Sequence, residues 1–380
     1  MSSTNIFLIS IVVGLFISFS FYSQNLILGS DFVNIYTAVS MIKNGQGKNL
    51  YDLDWQETYQ KNIVRYTQIR SLPFRHSPLI AWLLSPLSNL SFKKAYLLFA
   101  YLNILGLVLF YLAAKKIFVH ISSNLLFVVL IFLSAPALRT LLTGQTPILL
   151  SFILLALFSY LKRQDWFMAG VVGGLIFFLK IQLILLLPFF YLISKNRKKF
   201  MAGFGLSLIV LLFISLQVVG LPGLLSYPGF IFKTENGAYG SNLWDSFSLA
   251  SLLSWLGING GGLLIANILL YILAFLFFAA DLKKRSFEQN FTLSSILAPL
   301  FAVHFLAHDL TVLNVTILIL FDKYYQLGKN NKRVIFFVAV LLYSLIFFLI
   351  VPVIFGLNFN LGPFVLLFTV FILNRRKLWN

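Results

Sequence analysis

Residues 166 to 193 read "WFMAGVVGGLIFFLKIQLILLLPFFYLI", and how this run can be laid in a membrane decides the fold. It is apolar apart from Lys180 and Gln182, and basic residues flank it: Lys162 and Arg163 before, Lys195 to Lys199 after. Such clusters mark the cytoplasmic ends of membrane helices. A run bounded on both sides by the same signal must go out and come back. Its length allows two legs of about 14 residues, each rising roughly 21 Å at 1.5 Å per residue, against a hydrocarbon core about 30 Å thick. The legs therefore form a short hairpin whose tip stays below the far surface, with Lys180 at the tip.

The rest of the chain follows the same logic. Of 380 residues 59% are hydrophobic and 42 are phenylalanine, and apolar runs long enough to span a bilayer recur along it. Lysine and arginine outnumber the acids 29 to 11, but the excess sits in short clusters between apolar runs. A topology signal on an anionic leaflet accounts for it without a nucleic-acid partner. With the clusters at Lys115–Lys116, 162–163, 195–199, 283–285, 329–333 and 375–377 all in the cytoplasm, the threading gives an all-α integral membrane protein. It has about twelve crossings, one domain over 1–380, and both termini inside. The first apolar run, Ile6 to Phe21, lacks a basic leader and a small-residue cleavage site, so it reads as a retained helix. Residues 23–77 form a large, partly helical outer loop, 117–138 a single helix, and 291–306 with 309–322 a second short hairpin. The absence of cysteine excludes disulfides, thiol catalysis and thiolate metal sites. The cytoplasmic loops are short, with no P-loop or GxGxxG, so the polar chemistry is expected outside, in a cavity opened by the two hairpins.

Few residues can carry that chemistry. Asp31 follows the first helix and precedes "FVNIYTAVSMI", whose apolar residues recur at helical spacing. It is either the N-cap of that helix or a general base. Tyr36, in the same stretch, joins the substrate-binding candidates. Asp52 and Asp54 resemble a metal-binding DxD, yet Asp54 with Glu57 three residues on fits a capping box better, and no metal or other cofactor is expected. Arg75 and His76 lie where the outer loop re-enters; Arg offers a fork suited to phosphate and His a donor or proton shuttle. Lys180 at membrane depth costs about 2.5–3.5 kcal/mol on insertion scales unless water or an anion meets it. Arg139 and "TGQT" (143–146) fall at an outer turn, where Gln145 can hydrogen-bond a sugar or satisfy the backbone. His308 and Asp309 can orient a substrate or pair with each other. One acid amid several cations suits displacement at an anomeric carbon with a phosphate leaving group. The acid takes the acceptor's proton and the cations stabilise the departing phosphate.

"GSDFVNIYTA…NLYD", "FRHSPLIAWLLSPL", "LLTGQTPILL", "AGVVGGLIFFLKIQLILLLPFF" and "HDLTVL" occur here in the order found in family-87 glycosyltransferases, and over roughly residues 29 to 315 the chain resembles that family. The resemblance implies a GT-C fold and a polyprenyl-phosphate sugar as donor. It also implies an acceptor that is a lipid or glycan at the outer face, as in the mycobacterial phosphatidylinositol mannoside mannosyltransferases, with mannose as the favoured sugar. It implies Asp31 as catalytic base, with Arg75 and Lys180 near the lipid phosphate and His308 in the site; His76 and Arg139 complete the phosphate-binding candidates. The chain departs at "FRHSP", where the family usually has Tyr-Pro-Pro. Two other readings use the same residues: a flippase of anionic lipids, with the cations as a path, and an O-antigen-type ligase or polymerase fed by a pyrophosphate carrier. A flippase has no need of a base beside the cations.

Overall fold

The structure, a computed structural model, describes residues 3–26, 31–63, 72–234, 243–356, 359–375 and 378–379. Every regular element among the described residues is helical. Helix α1 (Ser3–Leu26) leads to α2 (Phe32–Lys43) and α3 (Leu53–Ile63), and α4 (Pro78–Leu83) follows the extended stretch 72–77. Then come α5 (Phe92–Ile117), α6 (Leu125–Phe132), α7 (Ala135–Thr143), α8 (Pro147–Lys162), α9 (Trp166–Leu179) and α10 (Leu187–Ile193). The second half holds α11 (Arg197–Thr234), α12 (Leu249–Trp255), α13 (Gly260–Asp281), α14 (Phe287–Phe301) and α15 (Asn314–Gln326). Helices α16 (Lys329–Tyr343), α17 (Phe347–Ile354) and α18 (Gly362–Leu373) complete it.

Among the described residues, five segments are long and apolar enough to cross a membrane: Ser3–Phe21, Phe92–Ile117, Leu125–Thr143, Arg197–Thr234 and Gly260–Lys284. Shorter apolar helices at Pro147–Lys162, Trp166–Leu179, Ile181–Ile193 and Gly362–Leu373 lie among them. Large apolar side chains such as Leu105, Phe213, Ile265, Phe277 and Phe371 are exposed, as lipid-facing surfaces require. The chain is thus an integral membrane protein.

Two features position the site. Helix α9 stops at Leu179, Lys180 takes an extended conformation (φ −149°, ψ 102°), and the chain continues as a 3-10 turn over Ile181–Leu186 before α10. The α9 leg is braced on α11 by small residues. A Cβ on Gly170 would strike the carbonyl of Phe200, and one on Gly203 the carbonyl of Phe167, so the two backbones touch. Between membrane helices, where lipid is as apolar as leucine, such close packing is a main source of attraction.

Several expectations need correction. The single helix over 117–138 is broken: residues 118–124 are turn, and α6 gives way to α7 at Ser134, whose hydroxyl caps α7 through the Ala137 N–H (3.3 Å). Two proline-free turns of helix end there because Pro136 has no N–H to continue the ladder. Arg139 consequently lies inside α7 and not on a turn; the turn comes at Gly144, in the left-handed region (φ 68°). The cap of α3 is Asp52 and not Asp54: Asp52 Oδ1 accepts from the N–H groups of Asp54 (2.9 Å) and Trp55 (3.2 Å), and Glu57 pairs with Lys61 at 2.6 Å instead. Residues 27–30 and 64–71 of the expected outer loop lie outside the described residues.

Candidate functional site

A cavity of about 110 Å³ gathers Asp31, Asn34, Arg75, His76, Gln145, Lys180, Gln182, His304 and His308 on its wall. Five stretches of chain converge to make it.

Asp31 directly precedes α2. Its backbone already takes helical angles (φ −67°, ψ −10°), and its side chain makes no cap bond. Of the two readings open in the sequence, the cap is the one the geometry removes. The carboxylate is turned to the cavity instead. Gly144 brings Gln145 to the same place: a Cβ there would lie 2.7 Å from Phe32 Cβ and 3.0 Å from the Tyr96 ring, so only glycine lets the start of α2 lie this close to the α7–α8 turn.

Arg75 and His76 come from the extended segment, which α3 holds by two buried glutamines one helical turn apart. Gln56 accepts from the Phe74 N–H (2.8 Å) and donates to the Leu50 carbonyl (2.6 Å). Gln60 accepts from the Leu72 N–H (3.0 Å) and donates to the Leu72 carbonyl (2.7 Å). Tyr51 donates to the His76 carbonyl (2.9 Å), Tyr227 to the Arg75 carbonyl (3.1 Å), and Arg75 Nη2 to the Thr234 carbonyl (2.7 Å). Burial and the nearby Lys180 ammonium lower the His76 pKa to about 4, so at neutral pH the ring is an uncharged donor and acceptor and not a further cation.

Lys180 donates to the carboxylate of Asp309, which is fully buried and also accepts from the Leu306 N–H (2.9 Å). Lys180 thus reaches the cavity from one hairpin and Asp309 steadies it from the other. His308 sits 3.4 Å from Asp309 through Nε2. Its carbonyl accepts from the hydroxyls of Thr140 (3.1 Å) and Thr311 (2.7 Å), while Ser151 donates to the Thr311 carbonyl (2.8 Å). Helices α7 and α8 therefore fix the second hairpin's turn.

Three candidates are not on the cavity wall. Tyr36 gives its hydroxyl to the Leu90 carbonyl (2.6 Å) and packs its ring on Phe92. Arg139 is exposed on α7. Asp309 lies behind the wall, as the partner of Lys180. Conversely, Asn34, Gln182 and His304 line the cavity without having been singled out as binding residues. Asn34 was the findable one: it stands three residues after Asp31, on the same helix face, and its buried Oδ1 has no hydrogen-bond partner among the described residues. No group of three or more His, Cys, Asp or Glu among the described residues is arranged to hold a metal.

The arrangement can accept a proton at Asp31, offset an anion at Lys180 and Arg75, and hydrogen-bond a polyol through Asn34, Gln145 and the neutral His76 ring. Comparison with curated proteins and with solved structures returns no match. The family model described as glycosyltransferase family 87 matches residues 74–307.

Proposed function

Because the chain belongs to glycosyltransferase family 87, and is thus a membrane glycosyltransferase, we propose that it moves a single sugar from a polyprenyl phosphate to a lipid or glycan acceptor with inversion at the anomeric carbon. Asp31 removes the proton of the acceptor hydroxyl as its oxygen forms a bond to the anomeric carbon. The bond from that carbon to the phosphate oxygen breaks on the opposite face. The electron pair leaves with the polyprenyl phosphate, whose new charge Lys180 and Arg75 offset. Lys180 has three donors and spends one on Asp309, which leaves two for phosphate oxygens. His76, Gln145, His308 and Asn34 hydrogen-bond the sugar. Mannose is the favoured sugar.

The observation that carries this reading is a carboxylate left free by its own helix, sharing one small cavity with two cations. An apolar groove of about 300 Å³ supports the lipid carrier. It starts where the cavity ends: Gln145 lines the cavity and Thr146 the groove, and Ile80 follows the re-entry segment into it. Its floor is Phe99, Gly106, Ile148, Leu149 and Phe152, a bed for an isoprenoid chain whose phosphate lies at Lys180. The proposed topology is a GT-C-type bundle of about twelve crossings, termini in the cytoplasm and the cavity open to the outer face.

Purified protein incubated with radiolabelled polyprenyl-phosphate sugars and membrane lipids should form labelled product, with soluble nucleotide sugars inert. Transfer from nucleotide sugars, with the lipid-linked ones inert, overturns the donor assignment. In intact cells, a cysteine at Gln46 should react with an impermeant maleimide and one at Arg197 should not; the reverse pattern overturns the topology.

A further inference from the structure

A second polar cavity, of about 880 Å³, lies at the other end of the same helices. Helix α8 runs from Gln145 and Thr146 to Lys162, α9 from Trp166 to Leu179, and α14 from Asn290 toward His304; each touches one cavity at either end. Fourteen helical residues in α9 put roughly 21 Å between the two. The sequence reads this end as a topology signal, and a signal needs only the charges. It does not need them drawn around one chamber, where they repel each other.

Cations dominate that chamber. Lys195 comes from the turn before α11, Arg197 and Lys198 from the first turn of α11, and Lys283 and Arg285 from the turn after α13. The nearby acids are already engaged: Glu288 with Lys162 (3.2 Å), Asp281 with Lys284 (2.9 Å) and Arg285 (3.8 Å), and Asp165 with the Met168 N–H (3.2 Å). Those pairings offset Lys162 and Arg285, whereas Lys195, Arg197, Lys198 and Lys283 have no acid partner among the described residues. A second observation points to a ligand. Asn290 lines the chamber and is 5% exposed; its amide donates to the Leu282 carbonyl (3.0 Å), and its Oδ1 has no partner among the described residues. A buried acceptor in this state costs about 1–3 kcal/mol, and a ligand hydroxyl would satisfy it. Trp166, on the rim, is a residue type that favours the headgroup level.

We propose that this chamber binds the headgroup of a phospholipid that carries a phosphate and a free hydroxyl together, as phosphatidylglycerol does. The basic side chains take the phosphate by charge-assisted bonds, and Asn290 takes the hydroxyl. Its volume lies within the range of pockets that enclose small molecules.

The test is native mass spectrometry of delipidated protein in detergent, titrated with phosphatidylglycerol, phosphatidic acid, phosphatidylcholine and soluble glycerol phosphate. Phosphatidylglycerol should bind at least about tenfold tighter than phosphatidylcholine, a difference of about 1.4 kcal/mol. The triple variant K195Q/R197Q/K198Q should lose that margin, and K93Q/K94Q, which removes an equal kind of charge at the start of α5, should keep it. Asn290→Leu should erase the preference for phosphatidylglycerol over phosphatidic acid, which lacks the glycerol hydroxyl. Asn290→Asp keeps the side-chain shape and should weaken both. Undiminished binding in the triple variant, or equal binding of phosphatidylcholine by wild type, overturns the proposal. Glycerol phosphate binding as tightly as the lipid overturns its membrane source.

Discussion

The extended segment 72–77 and the turn at Lys180 supply two walls of one cavity, yet they are held in opposite ways. The segment is fastened by neutral hydrogen bonds to its backbone, from Gln56, Gln60, Tyr51 and Tyr227, so its fastening does not depend on the His76 ring. The turn is fastened through the very side chain that faces the cavity, by the pairing of Lys180 with Asp309. In the first wall, structure and chemistry can be cut separately. In the second they share one ammonium group.

Asp31 belongs to neither wall and is the sharpest test of the comparison. Asp31→Asn should lower transfer by about 10²–10⁴, the usual worth of a positioned base. The melting temperature should hold, because the side chain caps nothing. An active Asp31→Asn enzyme would remove Asp31 from the mechanism.

The next largest effect should come from the ionic wall. Asp309→Leu strands the Lys180 charge, and breaking a buried pair costs about 3–5 kcal/mol; cavity water at Lys180, 12% exposed, puts this case at the lower end. Adding Lys180→Met to Asp309→Leu should restore most of the stability while transfer stays lost. If the double variant melts as low as the single one, the pair is not what holds the turn.

In the neutral wall, Gln56→Leu removes two hydrogen bonds and leaves the Phe74 N–H and the Leu50 carbonyl unsatisfied, at about 1–3 kcal/mol each. Protease cleavage within 72–77 should rise, and donor affinity should fall more than turnover. Unchanged proteolysis would mean that the rest of the segment suffices to hold it.

The smallest effect should be in pH. The folded pKa of His76, about 4, lies below the unfolded value of about 6.5. Below pH 6.5 the unfolded chain therefore binds more protons, and stability falls as pH drops from about 6.5 toward 4. The melting temperature should drop by a few degrees between pH 7 and pH 5, and His76→Gln should flatten the slope. A slope unchanged by His76→Gln would assign it to other groups.

The two walls also differ in how far the sequence discloses them. The turn at Lys180 is legible because length and flanking charge are counted along one stretch of chain, and bilayer thickness supplies the ruler. The neutral wall is not, since Gln56 and Gln60 in "LDWQETYQKNI" look like the solvent face of a helix and nothing local says that they are buried. Asp31 was legible as a candidate, but cap and base predict the same residue, and only the side chain's direction separates them. The breaks at 118–124 and Ser134 carry local turn signals, Ser122-Ser123-Asn124 and Pro136, but the long apolar runs on either side read through them as one membrane segment. Proximity in sequence puts Tyr36 and Arg139 near the site, and helical rotation takes both off the cavity wall.

The pairing of Lys180 with Asp309 joins positions 129 residues apart. At about 5–20 residues per second of synthesis, roughly 6–26 s pass between the two leaving the ribosome. Throughout that interval the first hairpin carries a charge whose partner does not yet exist. In the proposed topology the short α9–α10 hairpin waits with its lysine unpaired until α14 and α15 bring the carboxylate. The site then assembles late, and from both halves of the chain at once.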